Sequence, residues 1–176
     1  IIAELERETI LDRTRRGREQ AIKQGVLMGA NAPFGYIKNK KGHLEIFQPE
    51  AEIVEKIFDL FINARLGPQK IANILSEEEI LSPEASAINY EKRRGSTRKT
   101  NPLHFWRRES VQSILEDDIY IGIRYYNKTY KNTRLPKSKW KVSEFHHESI
   151  IPKELFKIVQ DRLKTDIAHR KTLSQK

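Results

Sequence analysis

Cysteine is absent from this chain of 176 residues, and that absence excludes several classes of protein. Disulfide bonds cannot form, and a zinc site with cysteine ligands cannot be built from these residues. Long apolar runs are lacking too, since none approaches the roughly 18 residues of a membrane-spanning helix. The N-terminus shows no signal-peptide pattern. We therefore expect a cytoplasmic protein.

Acidic residues are in the minority. Lys and Arg number 33 against 24 Asp and Glu, which gives a formal charge of +9 and a pI near 9.7. A basic excess of this size favours an anionic partner, most often nucleic acid. Apolar residues make up 38% of the chain and charged residues 32%. That composition allows a modest core beneath a large polar surface, in one or two small domains.

Glycine and proline are few, and they separate the predicted helices. Residues 1–25 predict one helix that contains a single internal glycine, Gly17, and ends at Gly25. Its first half is acidic and its second half is basic, an order that suits the helix dipole. We expect the basic half to contact DNA phosphates, and a solvated charged helix is the alternative. The contacts predicted there are Arg15, Arg16 and Lys23.

The next segment, residues 26–36, predicts extended backbone because it combines glycine, alanine and Pro33. One interpretation is an arm in a DNA minor groove with Asn31 as a contact, and the alternative is a linker. Residues 36–47 then predict a small hairpin whose turn lies around Gly42. Lys38 on this hairpin is a further candidate DNA contact.

Two amphipathic helices follow. The first is predicted from Pro49 to Ala64 and the second from Pro68, each with an apolar face at helical spacing. A turn over residues 76–83 leads out of the second helix. Two helices and a turn before a third helix at Trp106 is the order of a helix-turn-helix. The predicted core residues are Ile53, Val54, Ile57, Phe58, Leu60, Phe61, Ile71, Ala72, Ile74 and Leu75.

A long basic connection, residues 84–105, precedes the third helix. Structureless loops of this length are usually functional or disordered. We interpret it as a loop that becomes ordered on phosphate, and a solvated loop is the alternative. Its candidate contacts are Arg93, Arg94, Arg98 and Lys99.

The stretch from Trp106 to Leu115 is predicted to form one amphipathic helix, and it carries the sharpest prediction. Trp106, Val111, Ile114 and Leu115 share one face. Guanidinium, amide and hydroxyl groups on the other face are the groups that read base edges and bind phosphates. We predict that this helix enters a DNA major groove; an ordinary surface helix is the alternative. The candidate contacts are Arg107, Arg108, Gln112 and Ser113.

The last third of the chain holds a second basic run. Asp117-Asp118 predicts the start of a turn rather than a metal pair, and residues 120–126 predict a strand. Basic residues then alternate with Tyr130 and Trp140, a pattern that can clamp nucleic acid or form an exposed hairpin. Lys137 and Lys139 are the candidate contacts. A final helix is predicted with Leu155, Phe156, Val159 and Leu163 on its core face.

These motifs together resemble the large serine recombinases, the serine integrases and transposases of the resolvase–invertase superfamily. Glu6-Arg7-Glu8, Ile10, Arg13-Thr14 and Gly17-Arg18 are similar to the long helix that ends their catalytic domain. Their recombinase domain is matched by Pro33-Phe34-Gly35-Tyr36, Gly67-Pro68, Trp106 with Val111, Ile114-Leu115, Tyr120 and Gly122, and Ile150-Ile151 with Phe156, Val159 and Leu163. One departure is Glu79, which stands where glycine is usual in the helix-turn-helix turn.

The resemblance implies an α+β, mainly helical fold, in which a long N-terminal helix precedes a helix-turn-helix-containing recombinase domain with small β-hairpins. It implies four segments: the end of the long catalytic-domain helix (1–25), a linker or minor-groove arm (26–36), the recombinase DNA-binding domain (37–168) and a polar tail (169–176). We expect the chain to be a fragment of a longer protein.

The resemblance also implies sequence-specific binding of double-stranded DNA at attachment sites. The parent enzyme, encoded by bacteria or phage, would act as a dimer and then a tetramer and cut DNA through a phosphoserine link. Its nucleophile would lie on a catalytic domain outside this chain, with Arg7 and Glu6 as accessory residues. No cofactor is expected here, because zinc belongs to a downstream ribbon.

Two other hypotheses stay open at this stage. One is a helix-turn-helix transcriptional regulator with no recombinase parent. The other is a single-strand or RNA binder that uses Tyr125, Tyr126, Tyr130 and Trp140. A stand-alone enzyme is not expected, since the sequence offers no complete catalytic constellation.

Overall fold

The computed structural model describes residues 2–27, 31–89, 105–126, 128–130, 133–142 and 147–173. Its α-helices are α1 (Ile2–Lys23), α2 (Gln48–Ile62), α3 (Pro68–Glu77), α4 (Pro83–Asn89), α5 (Arg108–Glu116) and α6 (Lys153–Leu173). Its strands are β1 (Tyr36–Lys38), β2 (Leu44–Ile46), β3 (Tyr125–Tyr126), β4 (Thr129–Tyr130), β5 (Thr133–Arg134) and β6 (Lys141–Val142). Short 3-10 helices span Asp118–Ile121 and Lys137–Lys139. The predicted α+β, mainly helical fold is confirmed.

The strands form three small antiparallel pairs. β1 pairs with β2, so the predicted hairpin over residues 36–47 is confirmed. The Asn39 side chain shapes its turn, because Oδ1 accepts hydrogen bonds from the backbone N–H groups of Lys41 at 3.0 Å and His43 at 2.9 Å. Further on, β3 pairs with β6, and the β4–β5 pair lies within the segment that joins them. We call residues 125–142 the basic hairpin.

The core lies where α2, α3, α5 and α6 pack together, and β1 and the first 3-10 helix cover it. Each helix buries one stripe of apolar side chains, as the helical spacing predicted. The buried stripes are Val54, Ile57, Phe58 and Phe61; Ile71, Ala72 and Leu75; Val111, Ile114 and Leu115; and Phe156, Val159 and Leu163. Fully burying a side chain of this size contributes roughly 1.5–3 kcal/mol.

α1 ends near Gly25, as the sequence predicted. Gly25 adopts φ of +72°, and Val26 N–H donates to the carbonyl of Ala21 at 2.9 Å. This six-to-one bond satisfies a carbonyl that the last turn would otherwise leave free. α1 is joined to the basic hairpin by an exposed ion pair of 2.7 Å between Glu19 and Lys141. Ile10 and Leu11 of α1 are 65% and 60% exposed.

The predicted minor-groove arm is wrong in its second half. Phe34, Gly35 and Tyr36 are buried, and the Tyr36 hydroxyl donates to the carbonyl of Glu148 at 3.0 Å. The Tyr120 hydroxyl in turn donates to the Phe34 carbonyl at 3.0 Å. Side chains held in the core in this way cannot enter a DNA groove, so the compact domain already includes residues 34–36.

The connection between α3 and α5 is also more ordered than predicted. Residues 83–89 form α4, although the predicted loop covered residues 84–105. Ala85 and Ser86 of α4 are buried, and the Ser86 hydroxyl donates to Glu50. This hydrogen bond ties the helical part of the connection to a buried carboxyl group of α2.

The strand predicted over residues 120–126 is wrong in its first half. Residues 118–121 form a 3-10 helix, and only residues 125–126 form a strand. Asp117 caps the 3-10 helix by accepting a hydrogen bond from the N–H of Ile119 at 3.2 Å, and Gly122 ends it at φ of +80°. The prediction that Asp117-Asp118 starts a turn is therefore confirmed.

The turn after α3 contains Glu79 in the left-handed conformation, at φ of +55°. Ile80 N–H donates to the Leu75 carbonyl at 3.0 Å across it. Glycine adopts this conformation without steric cost, whereas other residues do so at a cost. Glu79 therefore keeps the turn geometry that glycine would provide. α3 and α5, the helices predicted to form the helix-turn-helix, pack against each other, with α4 inserted between them in sequence.

The last helix is longer than its apolar stripe. α6 continues to Leu173, so the predicted polar tail from residue 169 begins within helix rather than after it. Within the described ranges, no helix is both long and apolar enough to span a membrane.

Candidate nucleic-acid interface

The start of α5 is fixed by Trp106. The indole is 5% exposed, its Nε1 donates to the carbonyl of Ile80 at 3.0 Å, and its ring meets Phe34 edge-on at 5.4 Å. The Trp106 backbone N–H donates to the Ser76 hydroxyl at 2.9 Å, which ties it to α3. Buried indoles normally place their N–H on a partner in this way. The sequence reasoning recognised Trp106 but missed the role of Ser76.

The outer face of α5 is polar and open. Arg107, at the N-cap, and Ser113 are exposed, and Arg108 and Gln112 are half-buried. Gln112 Nε2 donates to Glu116 at 2.8 Å, so its amide has a preferred orientation before any ligand binds. Glu109 and Glu116 are also exposed on α5, which makes this surface mixed in charge. The sequence reasoning overlooked these carboxyl groups.

A groove runs along α5. One wall is the outer face of α5 and the 3-10 helix after it, and the basic hairpin forms another wall. The middle of α6 closes the groove with Gln160, Leu163 and Lys164. The lining residues on the first two walls are Glu109, Gln112, Ser113, Glu116, Asp117 and Asp118, and Lys128, Arg134, Lys137 and Trp140. The structure thus brings together three predicted contacts, Gln112, Ser113 and Lys137.

Trp140 is the centre of the basic wall. Three cationic groups lie near its ring: Lys128 Nζ at 5.3 Å, Arg134 Cζ at 5.5 Å and Lys137 Nζ at 5.8 Å from the centroid. The indole N–H donates to the Leu135 carbonyl at 2.8 Å, which fixes the ring. Trp is the strongest cation–π acceptor among the side chains. We call Trp140 with its three cations the Trp140 cluster.

Burial weakens the negative charge on the acidic side of the groove. Burial raises the pKa of the Asp118 carboxyl group, and the charges of Lys137 and Lys128 act against that rise while Asp117 adds to it. Desolvation disfavours the charged form of a carboxyl group. The negative charge of Asp118 is therefore held less firmly than that of a solvated aspartate.

The other predicted DNA contacts are dispersed. Arg15 and Arg16 are exposed on α1, and both pair with Asp12, Arg15 at 3.6 Å. Such exposed pairs are weak and leave the guanidinium groups free to exchange partners. Lys23, Asn31, Lys38 and Lys139 are exposed and do not line the groove. Arg93, Arg94, Arg98 and Lys99 lie outside the described residues.

The three described rings of the aromatic set proposed for single-strand binding, Tyr125, Tyr126 and Trp140, are engaged within the domain, and the side chain of Tyr130 lies outside the described residues. Tyr126 is buried, its hydroxyl donates to the Val26 carbonyl at 3.4 Å, and burial raises its pKa. Arg124 covers its ring at 5.2 Å. Tyr125 packs edge-on against Trp140 at 5.6 Å. These rings are therefore not open platforms on which consecutive bases can stack.

The two residues that the family resemblance places near a catalytic site are exposed to solvent. Glu6 and Arg7 lie exposed on α1. His147 contacts the Ile119 carbonyl at 2.6 Å through Nε2 and packs edge-on against Tyr36 at 4.8 Å, which is a structural role. Among the described residues, no group of three His, Asp or Glu side chains is arranged to hold a metal ion.

Comparison with known proteins gives a family match and two similar folds. A family model described as Recombinase matches residues 48–166. A crystal structure of an LSR–DNA complex is similar with a TM-score of 0.49 and 20% identity, over 88% of this chain and 42% of that one. A second structure, described as "Sequence Requirements of the Listeria innocua prophage attP site", is similar with a TM-score of 0.45 and 20% identity. The similarity covers 86% of this chain and 51% of that one. The chain spans about half or less of each matched chain.

Proposed function

Because the chain belongs to the Recombinase family of large serine recombinases, we propose that it recognises duplex DNA at a recombination attachment site. The observation that carries the proposal is the uncovered polar face of α5, which lies within the matched region and is anchored at its start by buried Trp106. A helix fixed at one end and open along one face is suited to insertion into a major groove, which is wide enough to admit it.

Specific side chains have distinct roles in this proposal. Arg107, at the N-terminal end of α5, would donate to guanine O6 and N7, and Gln112 would pair with adenine N6 and N7. Ser113 and Arg108 would make additional contacts to bases or phosphates. The exposed basic groups of α1, the β1–β2 hairpin and the basic hairpin would bind phosphates, which position the domain without reading sequence.

In the parent enzyme this chain would deliver a separate catalytic domain to its site. That domain would cut DNA with a serine nucleophile, with Arg7 and Glu6 of α1 near its active site. Ser110 and Ser113 are not proposed as that nucleophile, because a serine nucleophile needs an activating cluster. The parent would act as a dimer and then a tetramer, and this part of it would need no cofactor.

A titration tests the proposal. The chain is titrated against a duplex from the end of the mobile element that encodes it and against a shuffled duplex, at several salt concentrations. Tight binding to the end sequence that survives moderate salt is expected. Equal, salt-sensitive binding to both duplexes would reduce the role of this chain to non-specific attraction.

A further inference from the structure

The Trp140 cluster gathers three positive charges around a single ring. Lys128, Arg134 and Lys137 all lie within 5.8 Å of the indole centroid. Like charges this close repel one another. Cation–π attraction to Trp140 offsets part of that repulsion, and Tyr125 adds a second contact to Lys128 at 5.9 Å. An anion in contact with all three cations would offset the remaining repulsion between them.

These three cations also lack close carboxyl partners. Within the described ranges, no ion pair within 4.0 Å involves Lys128, Arg134 or Lys137. By contrast, Lys141 of the same hairpin pairs with Glu19 at 2.7 Å. Asp118 lines the same groove and interacts electrostatically with Lys128 and Lys137, but burial disfavours the ionised form of its carboxyl group. Among the described residues, the cluster is therefore a positive site with no directly paired carboxyl group, although four acidic side chains line the same groove.

The groove beside the cluster is polarised. Glu109 and Glu116 stand on the α5 wall, opposite the cations of the basic hairpin. A polyanionic strand entering this groove would be repelled by the first wall and attracted by the second. Its backbone would therefore run along the Trp140 cluster, while its uncharged base edges would face Gln112 and Ser113.

We propose that Lys128, Arg134 and Lys137, held on Trp140, form a phosphate clamp for one strand of the duplex that α5 reads. The clamp fixes where α5 sits along the groove, and it does not select bases. Trp140 serves as a scaffold for cations rather than as a stacking platform, because its ring is already occupied by the three cations and Tyr125. This inference rests on the proposed function and names the strand backbone as the partner of the basic wall.

A charge-matched comparison tests the clamp. The triple variant Lys128→Gln, Arg134→Gln, Lys137→Gln removes the cluster. The control is Lys70→Gln, Lys153→Gln, Lys157→Gln, which removes three exposed charges that do not line the groove. Each phosphate contact contributes about 0.9 to the slope of log affinity against log salt concentration. We expect the cluster variant to lose about 2–3 from that slope, with the same fold-loss on attachment-site and shuffled duplexes. A slope equal to that of the control would overturn the clamp.

A second variant keeps the charge and removes the scaffold. Trp140→Leu leaves all three cations in place but disperses them, so we expect weaker binding to both duplexes and a smaller salt slope. Trp140→Phe should recover part of the loss, because an aromatic ring remains. Urea unfolding followed by Trp106 fluorescence checks that both variants fold. Wild-type affinity for both duplexes in folded Trp140→Leu would contradict the scaffold role.

The clamp and the proposed function fail in different ways. If wild type binds attachment-site and shuffled duplexes equally, base recognition fails, while the salt slope of the cluster variant still decides the clamp. If the cluster variant loses affinity only for single-stranded oligonucleotides, the basic wall serves another ligand and the clamp is wrong.

Discussion

Glu50 of α2 lies directly beneath Gly35: its Oε2 accepts a hydrogen bond from the Gly35 backbone N–H at 2.7 Å, and the side chain is only 2% exposed. The other carboxyl oxygen accepts from the Ser86 hydroxyl of α4. One buried side chain thus joins the segment before β1, the start of α2 and the connection that precedes α5. The position of Trp106 and α5 depends on this junction, since Phe34 also packs on Trp106.

Removing the Glu50 carboxyl group should strongly destabilise the domain. In Glu50→Ala the Gly35 N–H and the Ser86 hydroxyl lose their buried partner, and we expect a loss of about 2–4 kcal/mol in the free energy of unfolding. The measurement is the urea midpoint. Glu55→Ala, at an exposed position of the same helix, is the control and should change stability by less than about 0.5 kcal/mol. Similar losses in both variants would show that the junction is not important.

A methyl group at Gly35 should be poorly tolerated. Gly35 has φ of +90°, and a Cβ atom there would lie 2.8 Å from Ile150 Cδ1 and 3.3 Å from Val54 Cγ2. Backbone strain and overpacking together should make Gly35→Ala less stable by about 2–4 kcal/mol. Gly17→Ala is the matched control, because Gly17 lies in α1 with nothing within 4 Å. It should stabilise the helix by about 0.5–1 kcal/mol. Equal midpoints for the two variants would refute this account.

Glu79 should be replaceable by glycine without loss. Its φ of +55° is a conformation that glycine adopts freely. We expect Glu79→Gly to be neutral or stabilising by up to about 1 kcal/mol, and Glu79→Val to be destabilising by about 1–2 kcal/mol because it is β-branched. Thermal unfolding of both variants provides the test. A glycine variant less stable than the valine variant would show that the Glu79 side chain makes the turn.

Asp118 should make stability depend on pH. Because burial raises its pKa in the folded state, the proton is held more tightly there than in the unfolded chain. This contribution to stability is present at low pH and is lost as the pH rises through the raised pKa. Asp118→Asn has no proton to lose, so it should gain stability relative to wild type as the pH is raised from below the ordinary aspartate pKa of about 3.9 towards neutrality. Urea midpoints across that range give the answer, and a constant difference would rule out this role.

The helices were predictable because their signal is local. Val54 and Phe58, or Ile71 and Leu75, recur at the helical period whatever surrounds them, and Gly67-Pro68 sets a helix start by its own backbone limits. The same holds for the end of α1 at Gly25. The confirmed parts of the fold are those whose cause lies within a few residues.

The junctions were not predictable because their partners are distant in sequence. Glu50 resembled an ordinary first-turn glutamate, and its burial depends on Gly35 and Ser86, 15 and 36 residues away. Arg162 is similar: its guanidinium group lies 4.2 Å from the centre of the Phe61 ring and donates to the Arg65 carbonyl at 2.9 Å. The 3-10 helix over Asp118–Ile121 differs, because its ends could have been predicted from Asp117 before it and Gly122 after it.

Only part of the candidate site could be predicted from the sequence. The polar face of α5 follows from helical spacing, so Gln112 and Ser113 could be predicted to lie on it. The Trp140 cluster could not, because it depends on the β3–β6 pairing that folds the basic run back toward α5. The acidic groups of α5 were equally plain in the sequence but were not weighed against a polyanionic partner.

The most direct test of the central claim, that α5 reads bases, is the affinity of Gln112→Ala for attachment-site and shuffled duplexes at one fixed salt concentration. Gln69→Ala is the matched control, since Gln69, which is exposed on α3, likewise donates a hydrogen bond to a side chain four residues ahead. We predict that Gln112→Ala loses about 1–3 kcal/mol on the attachment site and almost nothing on the shuffled duplex. Arg107→Ala should behave in the same way. Equal losses on both duplexes, or no loss beyond that of Gln69→Ala, would contradict base reading by α5.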